Sequence, residues 1–496
     1  MKKFLLLFFI LGVAAYLRIW HISDYMTFLG DEGRDMLVVK RMIVDGKWTL
    51  LGPTASVGGF FMGPIYYYFM LPFLWLWRLD PTGPAVMVAL FGTATVYVVY
   101  RIGRDFFNER VGLAASALYA LSPVVIAFSR SSWNPNVVQF FSALLIYMLW
   151  KAEQKAKREY FIFAGIAIGI GLQLHYLFSF LGVLTLIWFF LIKKKGSLLF
   201  TGMGFLIGYA PFLLFELRHG FPNTLTLYRF LLEGKETGFG ILSFIRTISD
   251  VSFRLFGRLI LRFPQPEWWY RYSPVVKVLW NSGTILLLLT GVGSALFFAK
   301  KKAGAKLLAL WFFVVVLLFG FYRKGIFDYY FGIFFALPFL LTGLVLSTLS
   351  TYGKFWKAIS FAVLIGLLYF NWLGRPFLFP PNKQLSQTKE ISKVVFDQAK
   401  GMPFNFALIT RNNSDHAYRY FFEIWGNSPV TIENEAIDPQ RKTVADQLLI
   451  ICDLYHTDCQ PLGHPLWEIA GFGRAEIVGT WTVPFVTIFK LEHYKQ

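Results

Sequence analysis

The chain has 496 residues, of which 56% are apolar and only 16% charged, with a mean hydropathy of +0.52. A soluble domain of this size carries nearer a quarter charged residues, so the composition excludes an ordinary soluble enzyme. The net charge of +19 comes from short basic clusters between apolar runs, which is how topology signals are distributed, and no nucleic-acid-binding motif accompanies it.

A spanning helix needs about 20 apolar residues, with shorter ones tolerated. Eleven crossings are expected on that criterion, at roughly 4–20, 84–100, 112–128, 137–150, 160–174, 177–192, 197–215, 276–299, 306–321, 329–348 and 357–373. The basic clusters test the count. Lys2 and Lys3, Arg101 to Arg110, Lys151 to Arg158, Lys193 to Lys195, Lys300 to Lys306, and Lys354 with Lys357 all fall on one side. The positive-inside rule makes that side cytoplasmic.

Two stretches need arbitration. Residues 160–192 read as two short helices turning at His175-Tyr176, because a single crossing would move Lys193 to Lys195 to the other side. Residues 64–79 are apolar but short and rich in Tyr and Trp, and read as an interfacial helix in the outer leaflet. The first run lacks a clean small-x-small cleavage site, Arg18 and Trp20 follow directly, and it reads as an uncleaved helix.

The expected fold is therefore a polytopic α-helical membrane protein, with a transmembrane domain at 1–373 and a small extracytoplasmic α/β domain at 374–496. Its first outer loop covers 21–83 and a long outer loop covers 216–275. An odd number of crossings puts the N-terminus in the cytoplasm and the C-terminus outside a plasma (inner) membrane. In the C-terminal segment, helices are expected near 386–400 and 414–425, and strands at Phe404 to Thr410, Gln447 to Asp453 and roughly Ala475 to Leu491. Cys452 and Cys459 can form a disulfide if this segment lies outside.

The polar residues that can carry chemistry gather on the outer side. The first outer loop reads Gly30-Asp31-Glu32-Gly33-Arg34-Asp35. A carboxylate there can take a proton from an attacking hydroxyl. The alternative is helix capping, since acids at a helix N-terminus are stabilised by the dipole and the free N–H groups. In the second outer loop, Trp133 can stack on a sugar ring and Asn134 can bond hydroxyls; the alternative is a Pro-containing turn with an interfacial Trp. His175 and Tyr176 sit at the outer ends of two short helices, where polar residues at membrane depth are functional more often than in soluble proteins. Arg323 and Lys324 oppose the positive-inside trend, which suits a lipid phosphate at the outer leaflet, or else pairing with Asp328. Glu216, Arg218 and His219 in the long loop give a weak cleft signal. No Walker loop, dinucleotide fingerprint, nucleophile elbow or zinc spacing is present, and the cytoplasmic loops are too short for a nucleotide-binding domain. An activated donor would then arrive through the membrane.

Together these features resemble the membrane-embedded GT-C glycosyltransferases, and more closely family 39 with the RgtA/B/C/D-like enzymes, protein mannosyltransferases and lipid A aminoarabinose transferases. The likeness covers roughly residues 1–200. It rests on the Gly-Asp-Glu-x-x-Asp loop, Gly63-Pro64-Ile65-Tyr66-Tyr67-Tyr68, the Gly-Arg-x-x-Phe turn at Gly103 to Phe107, Leu121-Ser122-Pro123 and the Leu-His-Tyr turn. The resemblance implies Asp31 as catalytic base with Glu32 beside it. It implies a polyprenyl-phosphate sugar as donor, inversion at the anomeric centre, and a protein, lipid or glycan acceptor in the cell envelope. Arg34, Asp35, Trp133, Asn134, His175, Tyr176, Arg323 and Lys324 are the expected substrate contacts. No cofactor is expected: many relatives carry an acid in the second outer loop, where Trp133-Asn134 stands, which argues against a metal bridged between two loops. The rival functions are a flippase or transporter of a lipid-linked sugar, which should show midplane charges and repeated halves, and a non-catalytic assembly protein.

Overall fold

A computed structural model describes residues 2–55, 58–193, 197–233, 238–262, 266–453 and 459–494; Lys194 and Lys195 lie outside the described residues. The chain divides into two compact units. The first comprises Met1–Ile22, Thr49–Met70 and Pro84–Pro380, and the second Ser23–Trp48, Leu71–Gly83 and Pro381–Gln496.

Each of the expected apolar runs is helical: Lys2–Ile19, Thr82–Phe106, Glu109–Leu121, Val138–Lys155, Arg158–Leu174, Ser179–Ile192, Ser197–His219, Pro274–Ala299, Ala303–Phe319, Ala336–Leu349 and Lys354–Trp372. Among the described residues, four of these are by length and composition long and apolar enough to cross a membrane: Thr82–Phe106, Ser197–His219, Pro274–Ala299 and Lys354–Trp372. A fifth appears if the 3₁₀ segment Asp328–Phe334 and Ala336–Leu349, bent by 60°, make one broken span. The run at 112–128 is likewise divided. Its helix stops at Leu121 because the residue before Pro123 is pushed out of the α region, and Ser122 sits at φ −63°, ψ 119°. The break at 175–176 falls where the basic clusters require it, between Arg158–Leu174 and the short 3₁₀ turn Tyr176–Phe178.

The tightest helix pair is Arg158–Leu174 with Ser197–His219. Gly165 and Gly169 face Gly204 and Gly208, two glycine pairs at four-residue spacing. A methyl group at any of them would strike the opposing backbone. Small residues let apolar helices approach closely where lipid offers no hydrophobic drive. Among the described residues, 216–275 add the helix Pro222–Glu233, the amphipathic helix Ile241–Leu259 and the 3₁₀ turn Pro266–Arg271. Within the 64–79 stretch, Ile65–Leu76 is helical as expected, with Pro72 inside it.

The second unit is built on a four-stranded sheet of order β1-β2-β4-β3, with β1 Asn405–Ile409, β2 Gln447–Cys452, β3 Ala475–Val483 and β4 Val486–His493. β1 and β2 are parallel, while β4 runs antiparallel to both β2 and β3. β1 and β2 are buried throughout, as apolar strands covered on both faces are. Helices Gln384–Ala399 and His416–Ile424 cover one face, with Ile391, Val395, Phe406, Phe422, Leu449 and Ile488 in the core. Ile432, Leu448, Ile450, Ile469 and Phe472 fill the other. The single expected strand at 475–491 is instead a hairpin, turning at Pro484-Phe485 with Phe485 at φ 76°. Cys452 and Cys459 are disulfide-bonded.

Candidate active site

The Gly30–Asp35 motif forms the start of the helix Gly30–Val44, which packs within the second unit on His416–Ile424. Two glycines make that packing close. A methyl at Gly30 would collide with the Ser414 side chain, and one at Gly33 with the backbone of His416 and Ala417. The Gly30 N–H donates to Asn413 Oδ1 at 3.0 Å. Farther along the helix, Glu423 accepts from Lys40 Nζ at 3.2 Å and from both Arg41 Nε and Nη2, at 3.1 and 2.8 Å.

The three acids of the motif have three fates. Glu32 turns inward, and its Oε2 accepts the Leu29 N–H at 3.0 Å, so it caps the helix. Burial pushes its carboxyl up to about 7. Asp35 is fully buried and accepts from Arg34 Nε and Nη2 at 3.0 and 2.8 Å. Asp31 faces out, its side chain 56% exposed, and accepts from Arg34 Nη1 at 2.9 Å. Capping therefore falls on Glu32 and leaves Asp31 outward, on the first turn of a helix whose dipole favours a carboxylate there. Beside this turn, Ser414 Oγ and His416 Nδ1 lie 2.8 Å apart. Burial holds the His416 imidazole below its ordinary value.

In the first unit, three expected segments meet as an aromatic cluster. Trp133 packs edge-on against Tyr329 with ring centres 4.6 Å apart. His175 lies 4.7 Å from Tyr176 and 5.4 Å from Tyr330. His175 Nδ1 accepts the Leu177 N–H at 3.2 Å, so that nitrogen carries no proton and the imidazole is neutral. Asn134 is buried and donates from Nδ2 to the Leu174 carbonyl at 2.7 Å, tying the second loop to the end of a helix. Tyr176 and Tyr322 help line an apolar cavity of about 540 Å³, with Phe60, Tyr209, Asn223 and Phe230. That size and lining suit the hydrocarbon part of a ligand.

Arg323 and Lys324 are exposed, and Arg323 Nη2 donates to the Phe239 carbonyl at 3.0 Å. Asp328 is held instead by Arg254 at 2.6 Å and Arg258 at 2.7 Å. Glu216 is buried and accepts from Asn223 and Thr224, fixing the start of Pro222–Glu233. Arg218 and His219 are exposed.

Residues 62–217 match the family model of dolichyl-phosphate-mannose-protein mannosyltransferase. The structure resembles that of ArnT from Cupriavidus metallidurans bound to undecaprenyl phosphate, with a TM-score of 0.64, 11% identity and 97% of each chain covered. It also resembles the archaeal oligosaccharyltransferase AglB from Archaeoglobus fulgidus in complex with an inhibitory peptide and a dolichol-phosphate. There the TM-score is 0.51 at 14% identity, covering 91% of this chain and 69% of that one. The chain shares the fold of these two structures, and its residues 62–217 are similar to the mannosyltransferase family. A curated relative, YkcB of Bacillus subtilis (strain 168), is 24% identical over 110 residues, a stretch spanning only 15% of that relative. The Gly30–Asp35 loop precedes the residues that the family model matches.

Sequence reading missed Arg254 and Arg258. Their signal was present: Arg246, Asp250, Arg254 and Arg258 recur every four residues along Ile241–Leu259, one charged stripe on an amphipathic helix. Missed too was the Asn413–Ala417 segment against Gly30 and Gly33, which no local pattern marks.

Proposed function

We propose that this protein is a glycosyltransferase that moves a sugar from a polyprenyl-phosphate donor to an acceptor hydroxyl at the outer membrane face, with inversion. The observation that carries the reading is the outward carboxylate of Asp31, held by one guanidinium while its two acidic neighbours turn inward. Asp31 takes the proton of the acceptor hydroxyl. The acceptor oxygen bonds to the anomeric carbon as the bond from that carbon to the phosphate oxygen breaks, and polyprenyl phosphate leaves with the electron pair. Arg323 and Lys324 neutralise the charge that develops on it. The apolar cavity beside Tyr176 and Tyr322 receives the start of the lipid tail.

The reading keeps eleven crossings, the N-terminus in the cytoplasm and the C-terminal segment outside. The Cys452–Cys459 pair favours an oxidising compartment for that segment. The transfer needs no cofactor, and the acceptor is a protein, lipid or glycan of the cell envelope. The likeness to structures holding undecaprenyl phosphate or dolichol-phosphate supports a lipid-phosphate donor. The test is reconstitution of the full chain with labelled polyprenyl-phosphate sugars, comparing wild type with Asp31→Asn. Transfer by wild type and its loss in the variant are expected. Equal transfer by both sinks the assigned base, and movement of the lipid across the bilayer without transfer sinks the enzyme.

A further inference from the structure

A second groove lies elsewhere in the first unit, among the helices Lys2–Ile19, Glu109–Leu121, Ala336–Leu349 and Lys354–Trp372. Its volume is about 700 Å³, and nearly all of its wall is apolar, with Phe9, Val13, Ala117 and Phe361 among the lining residues. One end is different. Arg110, Lys354 and Lys357 line it there with Ser347 and Ser350, and among the described residues no carboxylate lines any part of it.

The cations at that end are available. Arg110 donates to Ser350 Oγ at 3.0 Å, and among the described residues no ion pair involves Arg110, Lys354 or Lys357. The nearby Glu109 is occupied by the Tyr100 hydroxyl at 2.8 Å. A helix also begins here. The N-terminus of Lys354–Trp372, preceded by Gly353, has no side-chain cap, so its first N–H groups add to the positive potential. From Lys354 to Leu368 the groove follows about 21 Å of helix, more than half of a ~30 Å hydrocarbon layer.

We propose that this groove holds one anionic phospholipid, with an acyl chain along Val13, Ala117 and Phe361 and its phosphate among Arg110, Lys354 and Lys357. The occupant follows from charge complementarity. An apolar trough of leaflet depth ending in three unneutralised cations suits a hydrocarbon chain with a phosphate head, and a net negative lipid gains more there than a zwitterionic one. The site is independent of the transfer reaction.

The test is native mass spectrometry of the full chain after reconstitution with phosphatidylcholine alone or mixed with phosphatidylglycerol. Wild type should retain one phosphatidylglycerol in preference to phosphatidylcholine. Arg110→Ala/Lys354→Ala/Lys357→Ala should weaken that retention on the order of a hundredfold. Lys300→Ala/Lys301→Ala, which removes a basic cluster outside the groove, should leave it unchanged. Ala117→Phe fills the apolar part and should also abolish retention with all three cations in place. Lipid-free melting transitions matching wild type verify folding of each variant. Equal retention of the two lipids, retention by the triple variant as in wild type, or equal loss in the Lys300/Lys301 control would overturn the proposal.

Discussion

Arg34 reaches Asp31 at 2.9 Å and, with the other arm of the same guanidinium, reaches Asp35 at 2.8 Å. One planar group thus links an exposed carboxylate to a fully buried one across a single turn. Arg34→Met should disturb both. The buried Asp35 loses a charge partner, which costs on the order of 3 kcal/mol, and Asp31 loses the donor that orients it. Thermal melting should fall, and transfer should fall beyond what the lost folded fraction accounts for. Adding Asp35→Asn should restore much of the stability and little of the transfer. Full recovery of transfer in the double variant would show that Arg34 serves only the fold.

Gly33 and Gly12 make a contrasting pair. A methyl at Gly33 meets the backbone of His416 and Ala417, whereas one at Gly12 meets nothing within 4 Å. Gly33→Ala should therefore destabilise the protein by roughly 1–3 kcal/mol and reduce transfer as the Asp31 helix shifts off its seat. Gly12→Ala should be neutral or stabilising by up to about 1 kcal/mol, since alanine is the better helix former. Melting and transfer measured side by side decide the matter. Equal effects at the two sites would refute the close packing.

How much of this was legible depends on the range of the interaction. The helices follow from runs of apolar residues, a local property, and the break at His175-Tyr176 follows from counting the lysines beyond it. The β3–β4 turn was hidden because Val483-Pro484-Phe485-Val486 contains no glycine or asparagine to mark it, and Phe485 itself takes the left-handed conformation. The seat of the acidic loop was hidden for a different reason. Gly30 and Asn413 are 383 residues apart, and their contact leaves only a pair of glycines in the local sequence. Asp31 was chosen by its motif. That Glu32 would do the capping, leaving Asp31 outward, depends on tertiary packing that no spacing encodes.

Glu32 gives the fold a pH dependence of definite sign. Burial raises its carboxyl from 4.5 to about 7. Folding therefore favours the protonated form. The stability contributed is fully present below about 4.5 and is lost as pH rises through about 7. Wild type should lose on the order of 3 kcal/mol across that window from this group. Glu32→Gln keeps an acceptor for the Leu29 N–H and does not titrate, so its melting temperature should be flatter between pH 5 and 8. Parallel melting curves for the two proteins would remove Glu32 as the cause.

The Cys452–Cys459 pair links fold to topology. The two residues are seven apart in sequence, and a loop that short is worth about 2–3 kcal/mol in the chain-entropy account. It ties the end of β2 to the segment that follows. In an extracytoplasmic domain this bond persists, because no reducing pool reaches it. A membrane-impermeant maleimide applied to intact cells should then leave wild type unlabelled, and should label it after a membrane-impermeant reductant is added. Cys459→Ser should expose Cys452 without any reductant; Cys452 is buried, so labelling there should be slow until the segment opens. Absence of labelling under every condition in intact cells, with prompt labelling after lysis under reducing conditions, would put the segment in the cytoplasm. That result would make the crossing count even, and the Asp31 loop would need a donor delivered from the other side.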